Sequence, residues 1–289
     1  MGMRDYHLHL WPHDQLAYGA DLEQIKSYAN KARGDLVEEI AITEHLFRFR
    51  QSGQEIGQWW LKSNQQSLKE AVGNYWDHHC RADLDQYVEV VSKARNNLPV
   101  LLGLEVDFYP NQMDQVKQLL APYPFDVLLG SVHWIDNWLF DDLDDDIFVR
   151  LWDQVDIDQV WEQYTRRVEL LAQSSTCDVL AHPDVIKLTG KVPKNPQPFY
   201  DRIAKALQEA DMAAEVSSAG WKKPVGRYYP DVDLLRTFYQ YGIPITLASD
   251  AHYESGIGFG FLDLIEEIKK IGYKTLSRFE QRNRFQVKI

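Results

Sequence analysis

Short apolar runs alternate with longer amphipathic stretches along this chain, and the alternation predicts repeated strand-then-helix units. Residues 6–10 read as a first strand and 21–33 as a helix that begins at an aspartate cap and stops before Gly34. Residues 37–43 form the second strand. After a long irregular stretch, residues 84–96 place Leu84, Tyr87, Val88 and Val91 at helical spacing. Strands follow at 100–106, 125–131, 179–181, 213–216 and 245–249, separated by helices at 112–120, 157–173, 199–210 and 232–241, with a last helix at 262–271.

Regular alternation of this kind implies a parallel sheet with right-handed crossovers, and short continuous apolar strands fit a sheet covered on both faces. The ends of the strands decide between an open sheet and a barrel. His7 and His9, His45, Glu105, His133, His182, and Asp250 with His252 each stand at or just past a strand end. An open sheet gathers its ligand at one topological switch point, whereas a barrel brings every C-terminal strand end onto one face. The expected fold is therefore a single-domain α/β barrel over residues 1–289, with insertions near 46–82 and 134–155 after strand C-termini, where site walls are built.

Composition adds exclusions. A formal charge of −12 opposes long-range attraction to nucleic acid or anionic membranes. No apolar run approaches the roughly 20 residues that span a bilayer. The first strand begins too early for a signal peptide, so a cytoplasmic protein is expected. Cys80 and Cys177 are not in CxxC spacing and offer neither a disulfide framework nor a thiolate zinc knuckle. Two tryptophan clusters, Gln58-Trp59-Trp60 and Trp134 to Trp138, lie in the insertions and read either as pocket lining or as core packing.

His7 and His9, at i and i+2 of a strand, would project their rings from one face about 7 Å apart along the chain, and imidazoles so placed can share a metal. Alone the pair is a weak signal. Together with Thr43-Glu44-His45, Gly103 to Asp107, Ser131-Val132-His133, Ala181-His182-Pro183 and Ser249 to His252, it describes a metal centre. His78 and His79 sit away from any strand end and read as solvated or helix-edge residues. The acidic run from Asp141 to Asp146 lacks the alternation of a calcium loop and reads as solvated. Gly103 and Gly130 read as points of close backbone packing rather than a phosphate cradle.

In this order the motifs HLH, TEH, GLEVDF, SVHW, AHP and SDAH resemble the PHP family of metal-dependent phosphoesterases, and most closely its histidinol-phosphatase branch. The resemblance implies a distorted seven-stranded β/α barrel holding two or three divalent ions of zinc, manganese or iron. It implies a first metal held by His7, His9, Glu105 and Asp250, a second by Glu105, His133 and His182, and a third by His13, His45 and His252, with Asp14 the alternative to His13. Glu105 would then bridge, as a carboxylate with two usable oxygens can. The loop after the sixth strand, with Ser218, Lys222 and Arg227, resembles the family's phosphate-binding segment, and Arg166 matches a basic helix position.

What the resemblance implies is hydrolysis of a small phosphomonoester, L-histidinol phosphate above others, by a metal-bridged hydroxide, with Glu105, Asp250 and His252 as the catalytic groups. Two other readings stand beside it. One keeps the centre and changes the ester to a nucleotide or sugar phosphate. The other is a non-catalytic metal-binding PHP module.

Overall fold

The computed structural model describes residues 2–56 and 59–289, so Gln58 of the first tryptophan cluster lies outside the described residues. In chain order the strands are β1 Met3–Leu8, β2 Val37–Ile42, β3 Val100–Asp107, β4 Val127–Ser131, β5 Trp134–Ile135, β6 Trp138–Leu139, β7 Val179–Leu180, β8 Ala213–Ser217, β9 Ile245–Ala248, β10 Thr275–Glu280 and β11 Asn283–Lys288. The helices are α1 Leu22–Gly34, α2 Arg50–Glu55, α3 Gln66–His79, α4 Leu84–Arg95, α5 Met113–Leu120, α6 Asp146–Leu151, α7 Ile157–Gln173, α8 Gln197–Glu209, α9 Val232–Gln240 and α10 Phe261–Ile271.

Seven strands form one parallel sheet in the order β1-β2-β3-β4-β7-β8-β9. Its two edges approach each other where Leu8 and Ala251 make a parallel bridge and the His9 amide donates to the Ala251 carbonyl at 2.9 Å. Asp5 fastens the same seam from below, accepting from the Ser249 amide at 2.9 Å, the Ser249 hydroxyl at 2.5 Å and the Gly258 amide at 3.0 Å. The result is a nearly closed seven-stranded barrel ringed by helices, as the strand-end argument requires.

Close packing explains the strand glycines, against backbone at Gly103 and against side chains at Gly130. A Cβ on Gly103 would stand 2.9 Å from the Val127 carbonyl, and one on Gly130 would stand 2.9 Å from Leu171 Cδ2. The barrel floor is filled by a separate apolar cluster that includes Tyr6, Ala41, Leu101, Val127, Val179 and Phe279. Phe279 comes from the β10–β11 hairpin, which the sequence reading missed. Its backbone amide donates to the Tyr6 hydroxyl at 3.0 Å, while the amides of Gln281 and Arg282 donate to Asp126 at the foot of β4 and Arg282 pairs with Asp178 at the foot of β7. The hairpin therefore plugs the end of the barrel opposite the histidines.

The first insertion is not irregular; it folds into α2 and α3, and the second into the β5–β6 hairpin and α6. Their tryptophans are buried and pack the insertions together: Trp59 meets Trp134 edge-on at 5.4 Å, and Trp138 and Trp152 each donate an indole N–H to a backbone carbonyl. Core packing is thus the better of the two readings of these clusters. Among the described residues no helix is long and apolar enough to cross a membrane.

Candidate metal centre

Glu105, fully buried on β3, is the middle of the cluster. Its Oε2 lies 3.1 Å from His7 Nε2, 3.5 Å from His9 Nε2 and 2.8 Å from His45 Nδ1, while its Oε1 lies 3.0 Å from His182 Nε2 and 3.3 Å from His133 Nε2. The two oxygens address different imidazoles, as a bridging carboxylate would. Asp250 faces the same group from the other side, its Oδ1 at 3.7 Å from His7 Nε2 and 3.4 Å from His9 Nε2. Two of these residues, His182 and Asp250, hold positive φ values of 26° and 51°, local backbone strain that sits at the site itself.

Local structure aims these rings. His9 lies one residue past the end of β1, so the strand ends earlier than the sequence predicts, yet the rings of His7 and His9 still meet at 5.0 Å between centroids. Glu215 on β8 takes His7 Nδ1 at 2.9 Å through one oxygen and the His182 amide at 3.2 Å through the other. Asp107 on β3 takes His133 Nδ1 at 2.7 Å. Each pairing leaves the Nε2 of its ring pointing into the cluster, the outer-shell arrangement that fixes metal-binding histidines.

The loop after β1 completes the mouth. Buried Glu44 accepts from the amides of Leu10 and Trp11. Fully buried Arg48 donates to the carbonyls of Trp11, Pro12 and Gln15, which shapes the turn carrying His13. The His13 ring lies 4.3 Å from that of His252 and 5.3 Å from that of His45. Asp14 instead accepts from the Tyr253 hydroxyl. Of the two candidates, His13 is the one whose ring packs toward the cluster, from an exposed position. His45 differs from its expected grouping with His13 and His252 alone, because it also touches Glu105 and so stands between the groups.

The electrostatics divide the imidazoles. Burial lowers His7, but Glu215, Glu105 and Asp250 outweigh it and hold its pKa well above the ordinary value. Burial likewise lowers His133, yet Asp141, Asp107 and Glu105 carry it to about 10. Burial prevails at His45, held well below the usual range, and at His252, lowered to about 3. Burial disfavours the charged forms of Glu105 and Asp250, but the surrounding histidines keep both carboxyls well below their ordinary pKa and therefore ionised.

A divalent ion needs neutral imidazoles and ionised carboxylates. His45, His252, Glu105 and Asp250 already hold those forms, while His7 and His133, held high by neighbouring carboxylates, would each give up a proton to it. Buried atoms here also lack hydrogen bonds among the described residues: His7 Nε2, both nitrogens of His9 and of His45, Glu105 Oε2 and His252 Nε2. Buried polar atoms are rarely left so. Tetrahedral donors about 2.1 Å from zinc would lie about 3.4 Å from one another, and the donor separations here run from 2.8 to 3.7 Å. Three groups, His7-His9-Glu105, His45-Glu105-His133 and His9-His45-His252, each bring donor atoms within 4.8 Å. The residues present fit a divalent metal centre of mixed imidazole and carboxylate donors.

The basic residues expected to hold phosphate are placed less uniformly. Arg166 points outward from α7, where helical periodicity turns Tyr164, Thr165 and Val168 inward, and it pairs with Glu169 in a surface network that includes Arg202. That is a correction to the expected role. Arg227 is largely exposed and lies 3.5 Å from Asp231. Lys222 Nζ sits 4.3 Å over the Phe259 ring. Ser218 is fully buried with its hydroxyl unpartnered among the described residues. Neighbouring Lys223, not singled out from sequence, is the lysine whose charge reaches Asp141.

Asp141 is a second correction. Its carboxylate does not belong to a solvated run, because Oδ2 lies 3.8 Å from His133 Nε2. Glu215 and Arg48 carry no signal in the sequence, and Glu44 and Asp107, although inside the TEH and GLEVDF motifs, take their roles only from spatial neighbours. His79, the last residue of α3, is buried against Tyr75 and Phe47 rather than solvated.

Comparison with known proteins agrees with the fold and the motifs. A protein of Deinococcus radiodurans named "Probable histidinol-phosphatase" is 33% identical over 211 residues, covering 70% of this chain and 79% of that protein. One of the same name from Clostridium acetobutylicum is 24% identical over 216 residues, covering 69% and 78%. The crystal structure of histidinol phosphate phosphatase from Lactococcus lactis, complexed with zinc, L-histidinol and phosphate, superposes with a TM-score of 0.68 at 19% identity over 98% of each chain, a likeness of fold. The PHP domain model matches residues 6–219, from the first histidine strand to the start of the loop after β8, and on that match the chain belongs to the PHP domain family.

Proposed function

We propose that this protein is a metal-dependent phosphomonoesterase that hydrolyses L-histidinol phosphate to L-histidinol and phosphate, a reaction of histidine biosynthesis. The observation that carries the reading is Glu105, whose two oxygens face separate sets of imidazoles. The names of the relatives support the choice of ester. The proposed ligands are His7, His9, Glu105 and Asp250 for one ion, Glu105, His133 and His182 for another, and His13, His45 and His252 for a third, of zinc, manganese or iron.

Bound divalent ions supply Lewis-acid activation of water and of the phosphoryl group, with no serine or cysteine nucleophile required. The chain's own part is positioning. Glu215 and Asp107 fix the His7 and His133 rings. Burial of Glu105 and His182 keeps bulk water from competing, and Ser218, Lys222 and Lys223 lie on the loop after β8, where donors to phosphoryl oxygens belong. In this reading residues 1–289 act as one barrel domain, with the insertions near 46–82 and 134–155 as site walls. The substrate is a small molecule. A charge of −12 supports the exclusion of nucleic acid and anionic membranes, and free Cys80 and Cys177 are in keeping with a cytoplasmic setting.

The test is a panel of phosphate esters assayed after chelation and reloading with zinc or manganese. The reading expects kcat/KM for histidinol phosphate well above that for p-nitrophenyl phosphate, nucleotides and sugar phosphates; equal values would overturn the choice of substrate.

A further inference from the structure

We propose that Asp141 is the specificity-determining residue that receives the substrate's ammonium group, so that this site selects phosphate esters of amino alcohols. The inference rests on the function proposed above. Asp141 follows the β5–β6 hairpin, and the residue before it is fixed through both of its backbone groups: the Phe140 amide donates to the His133 carbonyl at 3.2 Å, and Trp152 donates its indole N–H to the Phe140 carbonyl at 2.9 Å.

Its neighbours in the acidic run use their carboxylates on the loop itself. Asp142 accepts from the amides of Asp144 and Asp145, and Asp145 caps α6 by accepting from the Ile147 amide. Asp141 does neither. Its Oδ1 is buried with no hydrogen-bond partner among the described residues, and its Oδ2 stands 3.8 Å from His133 Nε2, at the edge of the cluster.

A carboxylate there repels the phosphoryl group; the charges of His133 and Lys223 reach it without filling Oδ1, which leaves that oxygen for a cationic part of the ligand. In an amino-alcohol phosphate the ammonium sits on the carbon next to the ester carbon, and the proposal seats it beside this carboxylate when the phosphate lies at the ligand cluster. Tyr75 is close enough to feel the Asp141 charge, and its ring packs against Trp134 at 5.6 Å and Phe47 at 5.5 Å. That aromatic wall adds a surface favourable to a cation.

The experiment compares metal-reconstituted wild-type enzyme with Asp141→Asn and Asp141→Glu on two probes, L-histidinol phosphate and its des-amino analogue, 3-(imidazol-4-yl)propyl phosphate, with zinc content measured for each protein. The ratio of kcat/KM between the two esters should fall roughly 10- to 100-fold in Asp141→Asn, the loss expected of one hydrogen bond to a charged group. It should recover in part in Asp141→Glu, at unchanged zinc content. A ratio retained in Asp141→Asn overturns the inference and leaves the proposed function standing. Equal losses on both esters with a fall in zinc also overturn it, and place Asp141 among the metal ligands. Wild-type enzyme inactive on both esters overturns the proposed function as well.

Discussion

His133 Nε2 faces His182 Nε2 across 3.2 Å, with Glu105 Oε1 within 3.3 Å of both. Protons can link these atoms only pairwise, one Nε2–H donating while the other nitrogen or the carboxylate oxygen accepts. A cation among them would take both nitrogens and the oxygen at once. Replacing His182 by Ala should therefore lower the zinc content of reconstituted protein and abolish most of the phosphatase activity, as metal analysis and assay together would show.

Metal binding should also stabilise the fold. An ion bound only by the native protein adds about 2.7 kcal/mol when present at 100 times its dissociation constant. A chelator should then lower Tm, and zinc or manganese should restore it, in a thermal melt. The variant Glu105→Gln, with one oxygen replaced by an amide nitrogen, should lose most of that metal-dependent increment.

The residues behind the ligands should act on affinity more than on folding. Asp107→Asn and Glu215→Gln keep shape but weaken the hold on His133 Nδ1 and His7 Nδ1. Losses of about 10- to 100-fold in metal affinity are expected, read by competition with a chromophoric chelator.

Gly103→Ala should destabilise the barrel without touching a ligand. The added methyl would stand 2.8 Å from Thr43 Cγ2 and 2.9 Å from the Val127 carbonyl, which is backbone and cannot swing aside. Overpacking of this kind costs about 1–3 kcal/mol, and urea unfolding would measure it.

Asp83 gives a stability term with a definite sign in pH. It caps α4 by accepting from the Gln86 amide at 3.0 Å and pairs with Arg50 on α2 at 2.8 Å. The bond from Gln86, then that from Arg50, outweigh partial burial and depress its pKa. A depressed carboxyl stabilises the fold above its unfolded pKa of about 3.9 and loses that contribution as pH falls through the lower folded value. Asp83→Ala should cost about 1 kcal/mol near neutral pH, and the difference from wild type should shrink below pH 4 in acid unfolding.

Much of this architecture was legible in the sequence because burial on both faces makes a strand a continuous apolar run, and a ligand at its end interrupts that run. Glu105 after Gly103-Leu104 and His133 after Ser131-Val132 are visible for that reason. The β10–β11 hairpin was not, because its alternation buries little beyond Leu276, Ser277 and Phe279 and its turn at Gln281-Arg282 adopts positive φ without glycine or asparagine. Glu215 and Asp107 read as ordinary strand residues until their neighbours are known. Arg166 was misplaced because a motif position says nothing about which face of α7 it occupies. Asp141 was misread because its sequence neighbours are solvated and its spatial neighbour, His133, belongs to another segment.

The most direct test is metal titration of chelator-treated protein, with bound metal counted by atomic absorption and histidinol phosphate hydrolysis followed on the same samples. The account predicts uptake of more than one zinc or manganese ion per chain, activity rising in step with loading, and loss of both in Glu105→Gln. Protein that takes up no ion, or that hydrolyses the ester equally well when stripped of metal, would contradict it.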